Sequence, residues 1–439
     1  MTLLACWKSY QRATTKWLDE MIRRIQALNY RSLRYIDQEL ERFHVLIGPN
    51  ASGKTTFLDV VSFIGSLLEK GLDIAIEERT SNMRDLVWQR EDADFEIAIE
   101  ADIPDRLRAK LAKEFLYFRY EVRITFDQHT GHPGIAAERA WLIPARRKQA
   151  IEQRELFPID RDPPETIISS AISHAQRVLT KSPHGSDNFY VEVRDPKSPN
   201  NKGWVPTFKL GPRKSALANL PEDEEKFPVA TWFKRMLQSG LQSIMLDSRK
   251  LRMPSPVKYK LGYAPDGANL PWVIHQLENN HERYNWWIDH VRTALPEIQA
   301  ISTVERQEDR SRFLKIRYDN GLEVPSWMVS DGTLRMLALT VLAYAPMVDG
   351  VCLLEEPENG IHPQAVESVF GALSQVYNAQ VLIATHSPVI LSAADYKSVL
   401  CFRKTQIGAT DIVRGDNHPM LRDWKGNVNL GELYAGGVL

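Results

Sequence analysis

The rhythm of apolar residues changes along this chain, and each rhythm predicts a different kind of element. Short apolar runs occur at Phe43-His44-Val45-Leu46-Ile47, Val351-Cys352-Leu353-Leu354 and Gln380-Val381-Leu382-Ile383-Ala384-Thr385. Runs of this length predict buried strands. Helical spacing follows the first of them at Thr56-Phe57-Leu58-Asp59-Val60-Val61, and another helix pattern covers 363–377, between the other two. Strict alternation of apolar and polar residues marks Phe95 to Glu100 and Phe118 to Phe126. That is the pattern of half-buried antiparallel strands. Met21-Ile22-Arg23-Arg24-Ile25 opens a strand, and Tyr30 to Ile36 reads as a second one feeding the run at 43–47. A strand-like piece lies near Phe189 to Val193, and a helix is predicted over 229–241. Ser330 or Asp331 is a good N-cap for a long apolar helix containing Leu334, Leu337, Ala338 and Leu339. Buried strands alternating with helices imply a parallel sheet covered on both faces. In such sheets the ligand sits at the carboxyl ends of the strands.

Bulk properties narrow the setting. The chain has 439 residues, enough for a large core and more than one lobe. A net charge of −1 gives no global field toward DNA or membrane. The cysteines are Cys6, Cys352 and Cys401, an odd and sparse set that fits a reducing compartment rather than a disulfide framework. No apolar run approaches the ~20 residues of a membrane span. Leu3-Leu4-Ala5-Cys6-Trp7 is too short for a signal-peptide core, so a cytoplasmic protein without a membrane partner is expected. Residues 1–20 look detached, as an upstream start or an added helix. Proline and charge clusters interrupt 144–240, and Pro221-Glu222-Asp223-Glu224-Glu225 is expected to be a solvated loop or helix start. The absence of repeats and long heptad arrays argues against a coiled-coil arm.

Gly48-Pro49-Asn50-Ala51-Ser52-Gly53-Lys54-Thr55 fits G-x-x-x-x-G-K-[ST] between a strand and a helix, the context of a phosphate-binding loop. Gly48 and Gly53 let the loop curl and aim its N–H groups inward, and the helix adds its positive end. Lys54 can reach the β- and γ-phosphates, and the Thr55 hydroxyl can ligate Mg²⁺. Asn50 in the loop and Thr56 at the helix start join the expected ATP contacts. Glu355, at a strand terminus, can hold the metal directly or through water. Glu356 is the candidate base or water-positioning group, and His386 can contact a γ-phosphate or the attacking water. The capped helix at Ser330, with Gly332 permitting a close approach, offers a second anion-binding end, which asks for another partner.

This set resembles an ABC-type ATPase of the group that includes RecF, SMC-like and OLD-family proteins. Gly48 to Thr55 matches its Walker A, and Leu353-Leu354-Glu355-Glu356-Pro357 resembles its Walker B. Ser330-Asp331-Gly332-Thr333 resembles its signature, and Ala384-Thr385-His386-Ser387-Pro388 its switch histidine. Pro357 to Pro363 sits where the D-loop belongs, and Asn29-Tyr30-Arg31-Ser32 is similar to a stretch that lies near the nucleotide, which adds Arg31 and Ser32 to the site. Two departures are Asp331, where many relatives have glycine, and Glu355, where many have aspartate. Gln89 and Gln242 are both candidates for the Q-loop glutamine. The resemblance implies an α/β P-loop NTPase head with an antiparallel β lobe and an inserted helical or mixed lobe. It divides the chain into an extension (1–20), an N-terminal half-head (21–143), an inserted lobe (144–320) and a C-terminal half-head (321–439).

The resemblance further implies a homodimer that sandwiches two ATP molecules, each signature helix capping the other subunit's γ-phosphate. The expected activity is ATP hydrolysis with Mg²⁺, acting as a switch on DNA or on a partner effector, in anti-phage defence or genome maintenance. With 53 residues after His386, a nuclease domain such as OLD relatives carry has no room, so a nuclease is expected in trans. A transporter subunit is disfavoured by the long insertion between Walker A and signature. A plain DNA-binding module draws on basic clusters at Arg106, Arg108, Lys110 and Lys113, at Arg146-Arg147-Lys148, and at Arg249, Lys250, Arg252, Lys258 and Lys260.

Overall fold

The computed structural model describes residues 21–91, 94–126, 132–145, 154–183, 185–193, 207–257, 262–345, 350–421 and 429–437. The expected extension at 1–20, Cys6, Arg146-Arg147-Lys148, Lys258 and Lys260 lie outside them.

In chain order the strands are β1 (Ile22–Tyr30), β2 (Leu33–Glu39), β3 (Phe43–Ile47), β4 (Asp94–Asp102), β5 (Tyr117–Phe126), β6 (Pro133–Ile143), β7 (Gln176–Lys181), β8 (Asp187–Phe189) and β9 (Thr207–Phe208). There follow β10 (Leu241–Ile244), β11 (Ile298–Glu305), β12 (Arg312–Tyr318), β13 (Glu323–Pro325), β14 (Gly350–Glu355), β15 (Ala379–Ala384), β16 (Val399–Lys404) and β17 (Thr410–Arg414). The helices that matter for the site are α1 (Lys54–Lys70), α2 (Pro228–Gln238), α3 (Ser248–Arg252), α4 (Asp331–Thr340), α5 (Pro363–Leu373), α6 (Pro388–Ala393) and α7 (Leu430–Ala435). At 17 residues, α1 is the longest helix among those described.

Two large sheets stand back to back. One is antiparallel, in the order β2-β1-β4-β5-β6-β7-β8-β9. The other runs β10-β14-β15-β3-β16-β17, parallel except for its last strand. Strand β3 therefore comes from the start of the chain, while both of its neighbours come from the end. A small sheet, β11-β12-β13, stands apart from both. Period-two geometry divides the parallel sheet between two cores. Leu46, Leu353 and Leu382 face α1 and the antiparallel sheet. Val45, Ile47, Cys352, Leu354, Val381 and Ile383 face the helices around α4 and α5. Burial on both faces explains why these strands read as unbroken apolar runs.

Several expectations shift. Tyr30 to Ile36 is not one strand: β1 ends at Tyr30, a turn carries Arg31 and Ser32, and β2 begins at Leu33. Arg31 there adopts a left-handed φ of 51°. Strands β4 and β5 are antiparallel, but they are buried on both faces through their middles rather than half-buried. The chain around Thr166 to Ser169 covers their polar face. Ile167 N–H donates to Glu96 at 2.6 Å and Ser169 N–H to Glu121 at 2.9 Å. Arg119 donates to Glu121 at 2.5 Å and to Glu100 at 2.7 Å. Alternation reports that every second side chain is polar, not that water lies beyond it. Of the strand expected near 189–193 only Phe189 is in a strand, at the end of β8, and the helix expected over 229–241 ends at Gln238. Its tail instead enters β10 at Leu241. The antiparallel sheet continues past residue 143 into β7 to β9, and β10 joins the parallel sheet. The lobe expected over 144–320 thus shares both sheets with the segments that flank it.

His44, on β3, is fully buried. Its Nδ1–H donates to the Ser398 carbonyl at 2.9 Å, and its Nε2 accepts the Glu41 N–H at 2.8 Å. Burial pushes its pKa down to about 4. An unfolded histidine titrates near ~6.5, so this stabilisation is complete above that pH and is lost as pH falls toward the folded value. The loss reaches about 3 kcal/mol. His44→Gln, whose amide offers a donor and an acceptor, is expected to flatten the fall in urea midpoint over this window. Parallel midpoint curves for variant and wild type would show that His44 does not carry it.

Candidate functional site

The carboxyl ends of β3, β14 and β15 meet at one cavity of about 480 Å³. Arg31, Ser32, Asn50, Gly53, Lys54, Thr55, Thr56, Glu355, Glu356, His386 and Lys404 all line it. Sequence positions 300 residues apart are joined here directly, since the Thr55 hydroxyl donates to Glu355 Oε2 at 2.6 Å. The longer arm of Glu355, compared with aspartate, reaches Thr55 without a bridge.

Local forces set the loop. Gly53 has φ 108°, in the left-handed region, and a Cβ there would stand 2.3 Å from Thr410 Oγ1. Glycine is required on both counts. The Thr410 hydroxyl donates to the Ser52 carbonyl at 2.9 Å and lies 3.1 Å from the Ser32 hydroxyl, while Thr410 N–H donates to the Ser32 carbonyl at 3.0 Å. Strand β17 thereby joins the loop to the turn after β1. Asp59, one turn into α1, takes hydrogen bonds from Tyr30 at 2.6 Å, Arg31 at 3.0 Å and Arg79 at 2.7 Å. That cluster fixes the turn on which Arg31 and Ser32 sit.

Lys54 is folded back into the loop. Its Nζ donates to the carbonyls of Gly48 at 2.8 Å and Pro49 at 3.1 Å. Burial pushes the ammonium down to about 8, against the pull of Glu356 and Glu355. Nearby, Lys404 has its pKa lowered by burial. Its ammonium donates to the Thr410 hydroxyl at 3.3 Å. A desolvated cation facing the cavity suits an anionic ligand.

Glu356 has φ 45°, a left-handed conformation that costs a non-glycine residue about 1–2 kcal/mol. Its N–H donates to the Ala384 carbonyl at 2.7 Å, and Asn359 Nδ2 donates to its Oε2 at 2.5 Å. The strained backbone turns this carboxylate away from the strand line that Glu355 follows. Glu358 fixes the next strand end, accepting the Thr385 hydroxyl at 2.5 Å and the His386 N–H at 3.3 Å. Burial and the charge of Lys54 hold the His386 pKa below its ordinary value, partly offset by Glu356 and Glu358.

Ser330 and Gly332 do not line this cavity. Ser330 is the cap of α4, its hydroxyl oxygen accepting the Thr333 N–H at 3.2 Å. The close approach at Gly332 comes from the chain itself, since a Cβ there would stand 2.8 Å from the Gly360 carbonyl oxygen. Asp331, the departure from the family signature, binds Arg252 of α3 at 2.7 Å. Neither glutamine candidate reaches the cavity. Gln242 lies early in β10, opposite Cys352, and Gln89 Nε2 donates to the Ile407 carbonyl at 3.4 Å. Sequence reasoning missed Lys404, Thr410 and Asp59, and it gave Asn359, within the expected D-loop, no part in holding Glu356. Of these, Asn359 stands close to the Glu355-Glu356 motif, and the others carry no local signal.

The residues fit a nucleotide with Mg²⁺. Thr55 and Glu355 present paired oxygens, and the loop presents N–H groups with a lysine. Among the described residues no three histidine, cysteine, aspartate or glutamate side chains form a metal-binding group. Water and phosphate oxygens would therefore complete the shell, as Mg²⁺ commonly requires.

A family model described as "AAA domain, putative AbiEii toxin, Type IV TA system" matches residues 43–392. No curated protein matches the chain. Among solved structures, an Smc head bound to the C-terminal winged-helix domain of ScpA shares 13% identity, with a TM-score of 0.50 over 90% of this chain and 97% of that one. An Smc head with an extended coiled coil, bound to the C-terminal domain of ScpA derived from Pyrococcus furiosus, also shares 13% identity, at a TM-score of 0.47 over 90% and 96%. At such identity the first likeness speaks for the fold.

Proposed function

The chain belongs to the AAA family whose description names a putative AbiEii toxin, as a P-loop ATPase with an SMC-like head, and from that premise we propose an ATP-driven dimerisation switch. In this reading it hydrolyses ATP with Mg²⁺ between two copies of itself and signals to a partner effector. One observation carries the dimer. The cavity holds every expected contact except Ser330 and Gly332, whose capped helix end opens elsewhere. A helix N-terminus with no phosphate in its own subunit suits the phosphate of a second copy. Trp327 and Met328, both exposed, stand just before it and offer apolar contact area.

Within one site, Asn50, Gly53, Lys54, Thr55 and Thr56 bind the phosphates, with Arg31 and Ser32 at the side of the nucleotide. Thr55 and Glu355 would hold Mg²⁺, which when bound would supply charge neutralisation at the phosphate oxygens. Glu356 accepts the proton of the water that attacks the γ-phosphorus. His386 lies at the same end of the cavity, beside that water or phosphate.

The effector is proposed to be a nuclease acting in trans, in anti-phage defence within the cytoplasm. The family description, which places its putative toxin in a toxin–antitoxin system, supports a partner protein. No helix among the described residues is long and apolar enough to cross a membrane. A direct DNA switch of the repair type is the second reading. Three of its candidate cations are held by carboxylates: Arg252 by Asp331, Lys250 by Asp266 at 2.6 Å, and Arg108 by Asp105.

Ser330→Arg tests the switch. The variant is expected to bind ATP as a monomer with wild-type affinity and to fail in ATP-dependent pairing, read by light scattering with ATP against ADP. Weakened nucleotide binding in a confirmed monomer would assign Ser330 to its own subunit instead.

A further inference from the structure

We propose that Tyr434, on the short helix α7, is a positioning residue that sets the tautomer of His386 and ties it to the phosphate-binding loop. The proposal rests on the reading of His386 as part of the ATPase site. The Tyr434 hydroxyl donates to the Gly48 carbonyl at 3.2 Å and lies 3.1 Å from His386 Nδ1. The Gly48 carbonyl can only accept, so its contact with the phenol is a hydrogen bond only with the phenol proton on that side. The phenol oxygen is left to accept, and the group it accepts from is Nδ1–H. A neutral imidazole carries one ring hydrogen. With that hydrogen held at Nδ1, Nε2 is a bare acceptor.

The consequence is chemical. Neutral His386 can accept from a water in the cavity, and it can donate through Nε2 to a phosphate oxygen only once protonated. Burial and Lys54 oppose that protonation, while Glu356 and Glu358 favour it. Among the described residues, these and Tyr434 are the titratable groups that act on the ring.

The helix that carries Tyr434 is held in place from several sides. Leu430 is buried in the core shared with α6. Asn429 caps the helix and accepts the Ser392 hydroxyl at 3.1 Å. At Gly431 a Cβ would stand 2.3 Å from both the Pro388 carbonyl oxygen and Ser392 Oγ. Glycine there lets α7 lie directly on the helix that begins two residues after His386. The phenol is thus delivered by an element that also packs behind the histidine.

The test uses the full chain labelled with [¹⁵N]histidine, with His386 identified by the signal missing from His386→Gln. The ring-nitrogen shifts of the wild type are expected to report hydrogen on Nδ1. In Tyr434→Phe they are expected to move toward the Nε2–H form, with kcat down about tenfold, the scale of one lost hydrogen bond. KM should hold, because the Gly48 carbonyl keeps Lys54 as a donor. Gly431→Val, which leaves the phenol intact but displaces α7, is expected to give the same tautomer change. An unchanged Nδ1–H tautomer in Tyr434→Phe overturns the proposal. So does a shifted tautomer with wild-type kcat. Wild-type turnover in His386→Gln would instead overturn the reading of the site itself, and the ring shifts separate that failure from the first.

Discussion

Glu356→Gln is expected to bind ATP and Mg²⁺ yet turn over about 10²–10⁴-fold more slowly, the usual cost of losing a general base. The geometry separates the roles. Lys54 faces the loop carbonyls, and Thr55 meets Glu355 at 2.6 Å, so the phosphate and metal contacts do not pass through Glu356. Glutamine keeps the size of the side chain and a carbonyl acceptor, but it cannot take a proton. It also keeps the acceptor for Asn359, whose Nδ2 lies 2.5 Å from Glu356 Oε2. The left-handed turn at this position should therefore survive. If hydrolysis separates the subunits, the slow variant accumulates as an ATP-bound dimer, visible as ATP-dependent scattering that ADP does not produce. Wild-type turnover would remove Glu356 from the chemistry. Slow turnover without added dimer would keep the base and refute the switch.

Lys54→Ala is expected to lose nucleotide binding by about 100-fold or more, since charge-assisted hydrogen bonds to phosphate contribute roughly 1.5–3 kcal/mol each. The fold should persist. Lys54 bonds the loop carbonyls of Gly48 and Pro49, whereas the loop's shape depends on Gly53 against Thr410 and the helix on Phe57, Val60, Val61 and Ile64 in the core. Removing a cation desolvated enough to titrate near about 8 leaves no buried charge behind. The check pairs a nucleotide titration with a thermal melt. Near-normal hydrolysis with an unchanged melt would sink the assignment of the phosphate loop.

The parts legible in the sequence were those whose signal is local. A phosphate loop announces itself within eight residues, and strands buried on both faces announce themselves by unbroken apolar runs. Glu355, Glu356 and His386 could be placed because each follows such a run, and ligands sit at the ends of parallel strands. The misread pieces depend on distant chain. The polar alternation of β4 and β5 predicted water where Thr166 to Ser169 sits, because a covering segment leaves no mark on the strands it covers. The local pattern puts Arg31 and Ser32 in a strand because nothing nearby shows that Asp59 holds Arg31 in a turn. Lys404 reaches the cavity, and Tyr434 reaches His386, through tertiary placement alone, from a strand end and a helix with no recognisable motif.

Strand β3, between β15 and β16, has a consequence for how the molecule comes into being. The phosphate loop hangs from β3, which leaves the ribosome early, while the strands that flank it are among the last made. Even Ile22, at the start of β1, has its N–H and carbonyl bound by the side chain of Gln380, at 3.0 and 2.9 Å. Until that late segment arrives, β3 has two open edges and a hydrophobic flank, the condition that invites misassociation in a growing chain. Closing a loop of this length before any contact rewards it makes assembly of the central sheet slow. A polypeptide interrupted before β15 would carry the whole glycine-rich motif and still have no pocket to bind with.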